Sequence, residues 1–428
     1  MDMKLFKSFS SKILKALYGL SYRNRLVPSF ILVTTLPMLL ISYINYYVST
    51  SLMEDQVEYS LPSAPTVQSS PSTPCVGSMS ENKFLWWLSR ETCSNWWHDS
   101  ADPDELKESI QKGAVGVTTN PLLIKLSLFS RPEIWQPALA EVPKDLRGEE
   151  KAEAILQKVT TSLAELLLPT FRKTNGEQGY VCAQVNPTKP GNAEAMLAMA
   201  RRLGKWAPNI TVKLPATAAG LEVLEECAAE GIPVTVTASF TVPQAIAVGE
   251  GYRKGAAKAK KAGIRPAGCF AVLMIGRLDD YLRDVAMDGR TGVAEEDILQ
   301  AGIAVAKRAY AIFKERKYEA VIMPAGMRGA NHMTELAGAD MVFSTAPKIQ
   351  AMVSKLEAPF HERIHIPVDP EVIKRLEKLP EFVRAYDPEG MKPKEFITYG
   401  VTQKTLSQFV EAGWLPLEAY SSETGRQS

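Results

Sequence analysis

The sequence carries almost no net charge. Forty-nine Lys and Arg stand against 48 Asp and Glu, a formal balance of +1. A nucleic-acid surface would show as a basic excess, so no nucleic-acid partner is expected. Cysteine is scarce as well. Cys75, Cys93, Cys182, Cys227 and Cys269 make five, an odd number, with no Cys-x-x-Cys pair. That excludes a disulfide framework, suits a reducing compartment and casts the thiols as small buried apolar groups. No strand-like run is followed by Gly-x-Gly-x-x-Gly, so an open dinucleotide-binding sheet lacks its main signature. Residues 26–53 lack any charged side chain.

That uncharged run sets the amino terminus apart. Lys4, Lys7, Lys12, Lys15, Arg23 and Arg25 precede it, against Asp2 alone. It exceeds the ~20 residues that cross a hydrocarbon layer. Tyr43, Tyr46 and Tyr47 gather toward one end, as interfacial aromatics do. Residues 1–53 therefore read as a basic segment plus a membrane-spanning helix, with membrane contact through 26–50. No small-residue cleavage site is clear, which favours an uncleaved anchor. Residues 54–81 are rich in Pro and Ser and read as a disordered linker. The competing reading makes 1–78 an upstream extension or fusion, with the working protein starting near Met79.

From 82 to 428 the pattern is globular. Short apolar runs at 93–100, 114–121, 180–186, 210–216, 233–239, 269–276, 320–326 and 341–347 read as strands. Helical stretches at 103–112, 149–171, 191–204, 217–230, 242–262, 295–316 and 329–338 separate them. Strand–helix alternation implies a parallel sheet, and eight strands suggest a closed (β/α)8 TIM barrel. Residues 399–413 read as an extra C-terminal helix packed over the barrel.

Side chains alternate along a strand. In "ITVKLPA" (210–216), Ile210, Val212 and Leu214 share one face, which leaves Thr211 and Lys213 pointing into the barrel. An ammonium group buried without a partner is costly, whereas a neutral amine is a nucleophile that condenses with carbonyls. The plainer alternative is a lysine that snorkels to the rim or pairs with a carboxylate. The same inward logic gathers Asp99, Asn120, Gln184, Thr235 and Thr237 at the carboxyl ends of strands. Arg277 follows strand six and Arg328 strand seven. Barrel enzymes build their sites at these ends, and two adjacent guanidinium groups suit a phosphate.

"VGVTTNPLLI", "ITVKLPAT", "IGR" and "MRGANHMTELAGAD" resemble the transaldolase family. The resemblance spans most of the chain after residue 82. It implies that Lys213 forms a Schiff base, Asp99 is the acid–base group and Asn120 hydrogen-bonds substrate. It implies that Thr237 helps position a catalytic water and that Arg277 and Arg328 bind phosphate. The implied activity is transfer of a dihydroxyacetone unit between ketose and aldose phosphates, within the pentose phosphate pathway, without metal or cofactor. Such substrates are cytosolic, which conflicts with an anchor that would export the barrel. The sequence is silent on oligomeric state.

Some positions depart from that pattern. Gln184 stands where transaldolases proper carry glutamate, and it matches the fructose-6-phosphate aldolase branch. Val272 replaces a serine, Met274 an aromatic residue and Gly326 a serine. Simple aldol cleavage is one alternative, and a non-catalytic, membrane-anchored sugar-phosphate-binding module is another. A zinc-peptidase reading rests on "HERIH" (361–365), which needs a helix with both histidines on one face. His98 is expected outside the barrel. Trp86, Trp87, Trp96 and Trp97 are expected in the core, lining the barrel's bottom. Thr118 and Thr119 are expected to be structural. The basic run 253–263 is expected to be a solvated helix face.

Overall fold

Short, largely buried runs build eight strands. The structure, a computed structural model, describes residues 82–421. The expected membrane helix and linker lie outside those residues. Among the described residues, no helix is long and apolar enough to cross a membrane.

The strands are β1 (Asn95–Asp99), β2 (Gly116–Thr118), β3 (Tyr180–Gln184), β4 (Ile210–Pro215), β5 (Val234–Thr237), β6 (Cys269–Leu273), β7 (Val321–Pro324) and β8 (Val342–Thr345). All seven pairings are parallel, in the order β7-β6-β5-β4-β3-β2-β1-β8. β7 and β8 lie in contact, which brings the sheet round into a barrel. Helices cover the outside, as the alternating pattern predicts.

Side-chain alternation sorts the interior. Trp97, Tyr180 and Phe270 come from β1, β3 and β6, yet their rings meet, with the Trp97 and Phe270 centroids 4.6 Å apart. They fill the lower barrel. Gly116 makes room for them, since a Cβ there would lie 2.4 Å from the Trp97 indole. Above them sit Cys182, Thr211 and Thr235. Thr211 Oγ1 and Thr235 Oγ1 are 3.0 Å apart, and Cys182 Sγ is 3.7 Å from Thr235 Oγ1. The next inward positions face the upper mouth.

Local chemistry fixes where many of the helices begin. Asp102, Asn120, Asn192, Thr217 and Thr241 each accept an N–H from the first turn that follows them. Pro103, Pro121 and Pro243 stand in the first turn of their helices, where a missing N–H costs nothing.

Several expectations need correction. Strand six ends at Leu273 rather than 276, and the chain turns at once into a helix, Ile275–Asp288, that the sequence reading did not mark. The stretch 295–316 is two helices, Glu295–Ile298 and Ala301–Arg316. The stretch 329–338 holds only the short Asn331–Thr334. Trp96 and Trp97 are buried as expected, but Trp86 is exposed on the helix Lys83–Glu91. Cys182, Cys227 and Cys269 are buried, whereas Cys93 is exposed. The basic run is solvated and ion-paired, with Lys258 on Glu225 and Glu226 and Lys260 on Glu319.

The carboxyl-terminal segment forms the helix Gly400–Gln408, a π-helical turn Phe409–Trp414 and the helix Leu415–Ala419. Gly413 rests directly on the Pro121–Leu122 backbone, where a Cβ would come within 2.7 Å of the Leu122 nitrogen. The segment is thereby seated against the end of β2.

Candidate active site

Lys213 pairs in strand register with Gln184 on β3 and Thr235 on β5. It is 6% exposed, and its Nζ donates to the Thr119 carbonyl at 3.1 Å. No carboxylate pairs with it among the described residues. The amine therefore points inward, held by a neutral oxygen.

Asp99 ends β1 and is half-buried. Thr118 Oγ1 lies 2.7 Å from Asp99 Oδ1 and 2.7 Å from Ser344 Oγ. A hydroxyl has one proton to give, so Thr118 donates to Asp99 and accepts from Ser344. This short chain fixes one carboxylate oxygen and leaves the other available. Thr118 thus has the structural place expected of it, holding the carboxylate of Asp99.

Asn120 is a helix cap. Its Oδ1 accepts the Leu123 N–H at 3.0 Å, which starts the helix Pro121–Ser130. The cap fixes the amide's orientation, and its NH2 has no partner among the described residues. Gln184 is buried as well, and its Oε1 accepts no hydrogen bond among the described residues. A buried orphan acceptor costs about 1–3 kcal/mol and calls for a donor, such as water or a hydroxyl. Thr237 Oγ1 lies 3.9 Å from Met274 Sδ. Gln184, Thr237, Pro187, Pro215, Leu406 and Phe409 line a common cavity. Thus the carboxyl-terminal segment forms one wall of the mouth.

The two arginines come together through glycine. A Cβ on Gly276 would lie 2.4 Å from the Gly326 carbonyl and 2.8 Å from Arg328 Cγ, while one on Gly326 would lie 3.5 Å from Arg277 Cγ. Each arginine stem thus passes over the other loop's glycine. Gly326 has φ +59°, a left-handed conformation that glycine adopts freely and most other residues do not. Arg328 Nε donates to Asp280 Oδ2 at 2.8 Å. Arg277 is half-buried and has no ion-pair partner among the described residues; its guanidinium lies 5.9 Å from the Phe409 ring centroid. Burial, then the neighbouring Arg328, pull its pKa down to about 10, against the attraction of Asp280 and Asp99. It stays charged at neutral pH, and an underpaired guanidinium beside a second one is a setting for an anion.

All seven residues proposed from the sequence therefore lie at the carboxyl ends of the strands or just beyond them. Ser344 and Phe409 were missed, and Thr118 was named only as structural. The decoys fall elsewhere. His98 is buried outside the barrel, with Nδ1 2.9 Å from both Ser109 Oγ and Gln350 Nε2. Residues 361–365 are not helical, and His361 and His365 are both exposed. The segment thus lacks the helix that two zinc-binding histidines would need.

The family described as Transaldolase/Fructose-6-phosphate aldolase matches residues 96–409. A transaldolase of Thiobacillus denitrificans is 30% identical over 251 residues, covering 55% of this chain and 68% of that protein. Transaldolase 1 of Streptomyces avermitilis is 32% identical over 48% of this chain and 55% of its own. The transaldolase of Mycobacterium bovis is 33% identical over 51% and 61%.

Proposed function

This chain belongs to the transaldolase/fructose-6-phosphate aldolase family, and on that premise we propose that it transfers a dihydroxyacetone unit from a ketose phosphate to an aldose phosphate through a Schiff base on Lys213. Lys213 Nζ adds to the ketose carbonyl, and loss of water gives the protonated imine. Asp99 takes the proton of the hydroxyl beyond the scissile bond. That carbon–carbon bond breaks, an aldose phosphate leaves, and its electron pair stays on the bound three-carbon unit, delocalised into the imine. The nucleophilic carbon then adds to an acceptor aldehyde. Water hydrolyses the new imine and frees the lysine. The scheme routes no electrons through a metal or cofactor, because the imine withdraws them.

The amide NH2 of Asn120 donates to a substrate hydroxyl. Gln184 Oε1 and Thr237 hold the water. Arg277 and Arg328 hold the phosphate. The carrying observation is Lys213 itself: an inward amine with no acidic partner among the described residues, sharing the mouth with an oriented carboxylate and an underpaired guanidinium. Sugar phosphates of the pentose phosphate pathway are the proposed substrates, and they would place the barrel in the cytoplasm.

Borohydride reduction in the presence of fructose 6-phosphate tests this reading. The expected result is a stable three- or six-carbon mass on Lys213. Saturable binding without any adduct would instead indicate a sugar-phosphate-binding module. Gln184 favours a second reading within the same chemistry, simple aldol cleavage. A glutamine cannot exchange a proton at neutral pH, so imine turnover would lean on Asp99 and water. Turnover without any acceptor aldehyde distinguishes cleavage from transfer.

A further inference from the structure

Arg277 lies in the first turn of the helix Ile275–Asp288 and Arg328 in the loop after β7, and the β6–β7 ladder that could align them stops at Leu273 and Pro324. Beyond it one chain enters the helix Ile275–Asp288. The other makes the turn at Gly326 and then the short helix Asn331–Thr334. Two acids of the first helix hold that turn. Asp280 takes the Arg328 side chain. Asp279 reaches past it to His332, with Oδ2 2.9 Å from Nε2, and its Oδ1 accepts the Gly302 N–H at 2.8 Å. His332 in turn accepts the Arg328 main-chain N–H on Nδ1 at 3.1 Å. Both side chains are fully buried.

A main-chain N–H can only donate, so Nδ1 carries no proton. The ring is therefore the tautomer with its proton on Nε2, given to Asp279. Both nitrogens and both carboxylate oxygens are committed. Burying a carboxylate and an imidazole is weak as a source of stability, since apolar groups of that size pack as well or better. The consequence that reaches beyond the core is where the Arg328 main chain sits. A line of hydrogen bonds runs from Gly302, on a neighbouring helix, through Asp279 and His332 to Arg328.

We propose that the Asp279–His332 pair is the positioning device of the phosphate fork: it fixes the Arg328 loop against the Arg277 helix, and so sets affinity for the phosphate group rather than the carbon chemistry at Lys213. The inference rests on reading Arg277 and Arg328 as that fork.

The full chain is compared with His332→Leu, which removes both bonds, and His332→Asn, which keeps an acceptor opposite the Arg328 N–H. Calorimetry measures inorganic phosphate binding. Kinetics measure KM and kcat for fructose 6-phosphate and for an unphosphorylated donor, dihydroxyacetone, each with unphosphorylated glyceraldehyde as the acceptor. In H332L, phosphate affinity should weaken and KM for fructose 6-phosphate rise on the order of tenfold, as expected for a misplaced binding group. H332N should lose less. The constants for dihydroxyacetone should change by less than about twofold, since that donor makes no phosphate contact. Equal losses for both donors, or unchanged phosphate affinity in folded H332L, overturn the proposal. If H332L does not fold, H332N decides alone, and unchanged phosphate affinity there also overturns it. An unmodified Lys213 after borohydride treatment would defeat the aldol reading only. Phosphate binding that weakens in these variants would still support the positioning role.

Discussion

Lys213 Nζ donates to the main-chain carbonyl of Thr119 at 3.1 Å, one residue before Asn120. The turn that places the substrate-facing amide thus also holds the amine. A carbonyl stabilises an amine without neutralising an ammonium, so burial of this group serves chemistry more than stability. Lys213→Met tests that distinction. Methionine fills the same space, and removing the lysine strands no carboxylate, unlike the breaking of a buried ion pair. The variant should fold with a Tm no lower than the parent's while adduct formation and turnover fall to background. A large drop in Tm would mean that the lysine supports the fold.

Gln184 gives a second case of function set against stability. Its Oε1 is buried without a donor among the described residues. Gln184→Leu removes that orphan acceptor and should leave the Tm unchanged or raise it by a few degrees, as about 1 kcal/mol does in a domain of this size. Turnover should fall about tenfold, the effect of losing one well-placed hydrogen bond to the reacting water. Thermal melts and imine-hydrolysis rates on one preparation check both halves. A less stable Q184L with normal turnover would remove Gln184 from the water site.

Much of this is legible in the sequence. Alternation along "ITVKLPA" sends Lys213 inward because period two leaves no third choice, and the same rule carries Asp99 and Gln184 to the mouth. The missed pieces depend on tertiary contact. Thr118 reads as part of a turn until Ser344, from β8, is seen beside it. The helix Ile275–Asp288 begins two residues after β6 ends, so the apolar "LMIG" runs strand and helix together and hides the boundary. Asp279 and His332 are unremarkable in sequence, and only the fold brings them together. Trp86 reads as core by type but lies on the solvent side of its helix.

Phe409 is the residue least visible in the sequence, since a phenylalanine late in the chain carries no sign that it lies under Arg277. Here it is 1% exposed, lines the cavity with Gln184 and Thr237, and presents its ring to the guanidinium. Two roles can be separated. Phe409→Ala empties a packed position and should destabilise the protein by about 3–5 kcal/mol. Phe409→Leu keeps most of the volume and removes the ring. A cation–π contact at a partly desolvated site is worth ~1 kcal/mol, or roughly fivefold in affinity. F409L should therefore keep a near-normal Tm and raise KM for fructose 6-phosphate about fivefold, with little change for dihydroxyacetone. If KM for both donors rises together, Phe409 acts as a wall of the cavity and not as a support for the phosphate-binding cation.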